Sequence, residues 1–337
     1  MSSFTLADVQ GVVGGDNLVR ASAVDATAML LRAILRDVDV PAATLSMYSG
    51  SVEARFRIGA ATTGMLVMGA PSTTPVDVAI VLDEVASAPV AAVTVVNADD
   101  DAAASTVAAA GSNAVSYGLD DSAQLQAVDL DDTITGSSFT LVDSGERLPV
   151  RLRILGERHV MATLAALAAA RALGVPLASA IAAVETVPAL APWHMELLSA
   201  PGDVTVINDA HDASTDTVGS ALKTLAQIGR GGHRTIAVLG EIDGLGEFID
   251  ENYYALGKLV VRLNIASLVV VGQKARHLHN AAGLEGSWDG ESTLVDTAAA
   301  AEAVLRDQLR AGDVVLVKAS ASAGLRDFGD RLAGVTR

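Results

Sequence analysis

The sequence predicts an α/β fold in two domains, a parallel-rich sheet with helices followed by a second sheet whose strands alternate with helices. Three observations carry this. Half of the 337 residues are apolar but only 3% are aromatic, and Ala and Val dominate. That suits Ala-rich helices packed on Val-rich strands better than a β-sandwich. Beyond residue 203, short continuous apolar runs alternate with helical patterns, as in a parallel sheet covered on both faces. Finally, two Ala-rich stretches, 158–173 and 176–186, are divided by Gly174-Val175-Pro176, a glycine stop followed by a proline restart.

The elements follow in order. NLVRASAVDATAMLLRAIL (17–35) reads as a loop feeding a helix, with Leu30, Leu31, Ile34 and Leu35 as the buried stripe and Ser22 or Asp25 as N-cap. A corner of this kind near the start of an α/β chain is where a nucleotide phosphate usually sits. Yet there is no glycine between Asn17 and Leu35, and no lysine. PVAAVTVVNADD (89–100) is a buried strand running into an acidic turn, AASTVAAAG (103–111) is helical, and NAVSYG (113–118) is another strand. SSFTLVDSGERLPVRLRIL (137–155) is a hairpin turning at Asp143-Ser144-Gly145. PALAPW (188–193), with two prolines, marks the boundary between domains at 1–190 and 191–337. Beyond it, strands at 203–209, 234–240, 267–272 and 313–318 each lead toward a helix, near 215–228, 247–263, 273–282 and 323–333, with a further helix at 297–310. Such a sheet binds ligands at the carboxyl ends of its strands, here Asn208, Asp209, Gly240, Glu241, Gly272, Lys318 and Ser320.

Forty acidic against 23 basic residues give a net charge of −17. A surface of that sign repels phosphate backbones and anionic lipid, so neither nucleic acid nor membrane is expected as a partner. The charge itself reads as solubility or adaptation to salt. The chain has no cysteine, which excludes disulfides, zinc-thiolate sites and thiol nucleophiles. The first residues carry no basic segment followed by an apolar core, and the longest apolar run (163–184) is interrupted by Arg171, Gly174 and Pro176. A cytoplasmic protein without membrane insertion is expected.

Several segments together resemble the Mur ligases, most closely the type that adds D-alanyl-D-alanine to a UDP-muramoyl-tripeptide. They are VNADDD (96–101), LGERHVMATLAALAAARALGVPL (155–177), HMELL (194–198), VTVINDAHDASTDTVGSALKTL (204–225), IAVLGEIDGLGE (236–247) and GDVVLVKASAS (312–322). The resemblance implies a central Mur-ligase domain followed by a Rossmann-like C-terminal domain. FTLADVQGVVGGD (4–16) is similar to the opening of the family's UDP-substrate domain, after which the chain passes almost directly to LVRASAVDAT, so most of that domain is expected to be missing. Family members phosphorylate a carboxylate with ATP and let an amine attack the acyl phosphate. That chemistry uses a glycine-rich loop, a phosphate-binding lysine and Mg²⁺ ligands.

The resemblance also implies where those groups should stand. The family's TGSxGKTTT loop corresponds to residues 19–27, so its glycines become Arg20 and Ala23, its lysine Val24, and a metal-binding threonine Asp25. The strand ending in EMGA appears as GMLVMGAP (64–71), with Val67 at the metal glutamate, and no counterpart to the family's metal histidine follows. Asp77, Asp83 and Glu84 read as solvated helix-face or capping carboxylates. The two asparagines of GEHNVxNALAA become His159 and Ala162, and the phosphate-contacting arginine of GRM becomes His194. In DAHDASTDT (209–217) Asp209 persists but the family's asparagines become Asp212 and Ser214; Lys318 persists, while its neighbours in VKGSR become Ala319 and Ala321 around Ser320.

The expectation is therefore a non-ligating Mur-ligase-like protein with a vestigial nucleotide site and neither ATP nor Mg²⁺ as cofactor. Binding, scaffolding or regulation near cell-wall synthesis would be its role, through a protein partner, either a cell-wall enzyme or a second copy. The alternative is an active ligase of the same type, favoured by Asp209 and Lys318. No metal set is expected. His277 and His279 are two apart and do not share a helical face. His211, Asp212 and Asp209 share a loop with Lys318 and Ser320 at the sheet edge, as a residual polar pocket or as capping for the helix from 215. Tyr253 and Tyr254 read as helix packing.

Overall fold

The computed structural model describes residues 26–35, 44–48, 51–58, 62–68, 76–81, 91–100, 113–246, 249–285 and 291–337. The chain divides into two compact units, the second formed by 132–136, 154–157 and 191–337. No helix among the described residues is long and apolar enough to cross a membrane.

The first described element of the first unit is helix α1 (26–35), which buries Ala26, Thr27, Ala28, Leu30, Leu31, Ile34 and Leu35 and leaves Arg32 exposed. Among the described residues its sheet has nine strands in sequence order: β1 (Thr44–Tyr48), β2 (Ser51–Ile58), β3 (Thr62–Met68), β4 (Val76–Val81), β5 (Ala91–Asn97), β6 (Ala114–Gly118), β7 (Leu125–Thr133), β8 (Gly136–Asp143) and β9 (Glu146–Arg151). Strands β3 to β7 pair in parallel, while β1, β2 and β3 are antiparallel neighbours, as are β8 and β9. Asp77 lies on β4, which corrects the expectation of a helix-face or capping carboxylate; β4 is paired on both sides, by β3 and β5. The helix expected at 103–111 falls outside the described residues, as do Asp83 and Glu84. Helix α2 (Glu157–Ala172) buries every residue from Ala162 to Ala170, because alanine lets a helix be covered all round. After Gly174, at φ +79°, α3 (Leu177–Glu185) starts on Pro176.

The second unit holds β10 (Glu196–Ala200), β11 (Val204–Asp209), α4 (Thr215–Arg230), β12 (Thr235–Leu239), α5 (Ile249–Arg262), β13 (Ser267–Val271), α6 (Arg276–Leu284), β14 (Ser292–Val295), α7 (Ala298–Gln308), β15 (Val314–Lys318) and α8 (Arg326–Leu332). Its six strands run β10-β11-β15-β12-β13-β14. Successive residues of a strand face opposite sides. Ile207, Ala237, Leu239 and Leu316 enter the core under α4, α5 and α6; Val206, Ile236, Val238, Val315 and Val317 enter the one under α7 and α8. One expectation is corrected here. The sheet is not wholly parallel, because β10 adds antiparallel to β11 at one edge. Its partly buried residues lack the continuous apolar run of a central strand.

Candidate functional site

The carboxyl ends of β11 and β15 lie side by side, with Asn208 opposite Val317 and Asp209 opposite Lys318. Lys318 is 2% exposed, and its ammonium donates to Asp209 Oδ2 at 2.6 Å and to the Asp212 carbonyl at 2.9 Å. Asp209 is 5% exposed and accepts a second hydrogen bond from the Met195 N–H at 3.1 Å. Burial pushes its carboxyl up, and the Lys318 charge draws it part of the way back. Lysine and aspartate are thus spent on each other in the interior. Such a pair is strongly destabilising to break from one side.

The segment Trp193-His194-Met195 crosses in front of this pair. Trp193 and Met195 have φ of +62° and +48°, a conformation that bulky L residues avoid unless their surroundings enforce it. Here they do. The Trp193 N–H donates to Glu196 Oε2 (3.0 Å), its indole N–H donates to Asp330 Oδ2 (2.9 Å), and the Arg326 and Arg337 guanidinium groups lie 5.0 and 5.4 Å from its ring centre. Asn208, fully buried, donates to Asp330 Oδ1 and to the Arg326 carbonyl, both at 3.0 Å. A Cβ on Gly329 would collide with the Asn208 amide, so only glycine fits there.

Between the two flanking residues stands His194. Its Nδ1 is 2.9 Å from the Pro192 carbonyl, its ring centre is 4.3 Å from that of His211, and its Nε2 is 3.9 Å from Asp212 Oδ1. The His211 imidazole is drawn down to about 4. Burial is the main cause, followed by the charges of His194, Arg326 and, less, Lys318, with Asp212 opposing. At neutral pH that ring is therefore uncharged. Helix α4 begins behind this loop, capped by Ser214, whose hydroxyl accepts from the Thr217 N–H while the Thr217 hydroxyl accepts from the Ser214 N–H. Since Ser214 caps α4, capping does not account for His211 and Asp212.

Of the positions named from the sequence, His194, Asp209, His211, Asp212 and Lys318 are joined by these contacts. Ser320 is buried, and its hydroxyl accepts from the Asp243 N–H (2.9 Å), closing the turn after β12. His159 lies in the first turn of α2, its carbonyl accepting from Thr163 Oγ1. Val67 lies on β3, opposite Ala79 of β4. Arg20, Val24 and Asp25 fall outside the described residues. In VNADDD, the Asp99 carboxylate accepts from the Leu119 and Asp120 N–H groups at 2.8–3.0 Å, and a Cβ on Gly118 would strike it. His277 and His279 separate: the first lies 3.2 Å from Asp250, the second 2.8 Å from Ser292 Oγ. Tyr253 is fully buried in α5, its hydroxyl accepting from the Ile242 N–H.

Sequence reasoning missed the meeting of His194 with His211. The register of β10 on β11 pairs Glu196 with Asn208, and continued by two residues it sets His194 opposite Ala210. The signal was Pro201-Gly202 set between two short apolar stretches, a hairpin pattern.

A mixed α/β unit accompanies a second unit with a largely parallel sheet, whose strands gather polar groups at their carboxyl ends; this defines a two-unit α/β protein. Models of the Mur ligase middle domain and of the Mur ligase glutamate ligase domain match residues 85–170 and 195–321. The UDP-N-acetylmuramoyl-tripeptide–D-alanyl-D-alanine ligase of Mycobacterium tuberculosis (strain H37Rv) is 35% identical over 256 residues, 71% of this chain and 50% of that protein. The UDP-N-acetylmuramoyl-L-alanyl-D-glutamate–2,6-diaminopimelate ligase of Halalkalibacterium halodurans is 34% identical over 149 residues, 44% of this chain and 30% of that one. Among solved structures, MurF from Acinetobacter baumannii matches with a TM-score of 0.60 at 22% identity, over 72% of this chain and 51% of that one. The MurF ligase from Thermotoga maritima in complex with ADP matches at 0.60 and 18%, over 71% and 52%. The chain belongs to the Mur ligase family, with its middle and C-terminal domains, and is MurF-like. It spans about half the length of the curated relatives it matches most extensively.

Proposed function

We propose that this chain is a Mur-ligase-like protein that does not drive ATP-dependent ligation and instead acts by binding, as a scaffold or regulatory partner in cell-wall synthesis. The observation that carries the reading is Val24, at the position where the resemblance implies a phosphate-binding lysine. A valine supplies no charge to a triphosphate, and Asp25 beside it repels one. Val67, at the implied metal glutamate, cannot ligate Mg²⁺, which takes oxygen donors. The surviving Lys318 supports the same reading, since its charge is already matched by Asp209 inside the protein. Meanwhile α1 keeps Leu30, Leu31, Ile34 and Leu35 buried, so the helix is retained for packing.

Isothermal titration of the chain with MgATP tests this. No saturable heat up to millimolar nucleotide is expected. Micromolar binding, followed by release of ADP and phosphate on addition of a UDP-muramoyl peptide and D-alanyl-D-alanine, overturns it and establishes the second reading, an active ligase. That second reading is favoured by the 35% identity to UDP-N-acetylmuramoyl-tripeptide–D-alanyl-D-alanine ligases. Light scattering of the chain alone, and then with the ligases of its own cell, tests the partner. A mass above the monomer's in either arm is expected, and a strictly monomeric, non-interacting chain removes the scaffolding role.

A further inference from the structure

We propose that His194, His211 and Asp212 form a binding site for one divalent transition-metal ion of the zinc class. Each offers one ligand atom, and these atoms lie within 4.8 Å of one another. Two imidazoles and one carboxylate make the donor set of a zinc site that keeps an open position. The mixed nitrogen and oxygen donors favour zinc, cobalt or nickel over Mg²⁺ or Ca²⁺, which take oxygen ligands.

Three features of the geometry go beyond mere proximity. The first is the tautomer of His194. With its Nδ1–H given to the Pro192 carbonyl at 2.9 Å, the lone pair sits on Nε2, which faces the Asp212 carboxylate at 3.9 Å. An ion between Nε2 and that carboxylate would be held by both. A backbone carbonyl holding the far nitrogen is also the usual support of a metal-bound histidine. The second is the backbone. His194 is presented between two residues of positive φ, Trp193 and Met195, each pinned by an acidic side chain, Glu196 and Asp209. Backbone strain enforced by its surroundings in this way clusters where side chains must be placed for function. The third is charge. Lys318 donates to the carbonyl of Asp212, but its own charge is cancelled by Asp209, so it does not compete for the Asp212 carboxylate. Arg326, whose guanidinium donates to the His211 carbonyl, is the opposing cation.

Zinc–nitrogen and zinc–oxygen bonds of about 2.0–2.2 Å place tetrahedral ligands about 3.3–3.5 Å apart. His194 Nε2 and Asp212 Oδ1, at 3.9 Å, are close to that, and closure shortens the other separations by up to about 1.5 Å among partly buried side chains. The positions that the Mur ligase resemblance implies for Mg²⁺, Asp25 and Val67, are on other segments of the chain.

The test is titration of the full chain, freed of metal with EDTA, by Co²⁺ alone. Binding of one equivalent is expected, with the intense visible bands of a four- or five-coordinate ion, and displacement by Zn²⁺. His194→Ala, His211→Ala and Asp212→Asn should each weaken binding by about tenfold or more, while a His277→Ala/His279→Ala double variant leaves it unchanged. Failure to bind a stoichiometric ion overturns the proposal, and so do retention of the bands in a folded His194→Ala/His211→Ala variant or their loss in the His277/His279 control. If the site variants do not fold, the thermal midpoint of the unaltered chain decides. A rise with one equivalent of Zn²⁺ is expected, because an ion that binds only the folded state stabilises it, and an unchanged midpoint overturns the proposal. No nucleotide is present, so failure here leaves the absence of ligation untouched.

Discussion

Two places in this chain begin helices, and they are held in different ways. Helix α1 is kept by an apolar stripe: Leu30 and Ile34 are fully buried, and Leu31 and Leu35 nearly so. The start of α4 is kept by ions and hydrogen bonds as well, with Lys318, Asp209 and Asn208 buried behind the loop that leads into it. Non-directional packing tolerates a change of purpose at the helix start, because the stripe does not depend on which groups precede it. A buried polar network does not, because each member is the partner that makes another's burial bearable.

The sharpest way to break this contrast is at Lys318. Lys318→Ala leaves the Asp209 carboxylate buried without its cation and should destabilise the second unit by about 3–5 kcal/mol. The double variant Lys318→Met/Asp209→Leu removes both charges at similar volume and should recover most of that loss. Urea unfolding of the three proteins measures it. If the single variant loses under 1 kcal/mol, the pair is not what holds the α4 corner. In α1, Leu30→Ala should lose about 2–5 kcal/mol by the same measurement. No charge reversal elsewhere should restore it, since what is lost is packing.

A smaller effect separates network from packing within the second unit. Gly240 follows β12, and a Cβ there would come within 2.8 Å of both Ala319 Cβ and Leu325 Cδ1. Gly240→Ala should therefore cost about 1–3 kcal/mol through overpacking, read as a lowered thermal midpoint. The companion Leu325→Ala/Gly240→Ala should shed part of the Gly240→Ala penalty, because the space is returned. Strict additivity of the two changes would mean that the crowding is not the cause.

The central strands of the second sheet were legible because both faces are buried, so VTVIND, TIAVL, SLVVV and VVLVK read as unbroken apolar runs. Edges carry no such signal. ELLSA and STLV, at the two edges of that sheet, are only partly buried throughout. That opacity spread to the site. Asp209 and Lys318 could be placed at one sheet edge because each ends a visible strand. His194 and His211 could not, because an unseen edge strand brings them together. Spacing along a chain reports helical neighbours well, at three or four residues. It says nothing of side chains 17 positions apart until the register between two strands is known.

The smallest of these effects lies at the first turn of α4. Ser214 and Thr217 exchange hydrogen bonds between side chain and backbone at 2.8 and 3.2 Å. Ser214→Ala removes an acceptor from the helix start and should cost about 1 kcal/mol, while Ser214→Asn, which caps as well, should cost little. Asp212 is two residues away and is not the cap. If Asp212→Ala instead produced the capping loss and Ser214→Ala did not, the acidic side chain would be serving the helix and would not be free to face His194. The two variants, compared by thermal melting in EDTA, thus assign the loop between β11 and α4 its separate duties. One residue starts the helix, and the others are left to the cluster at the strand ends.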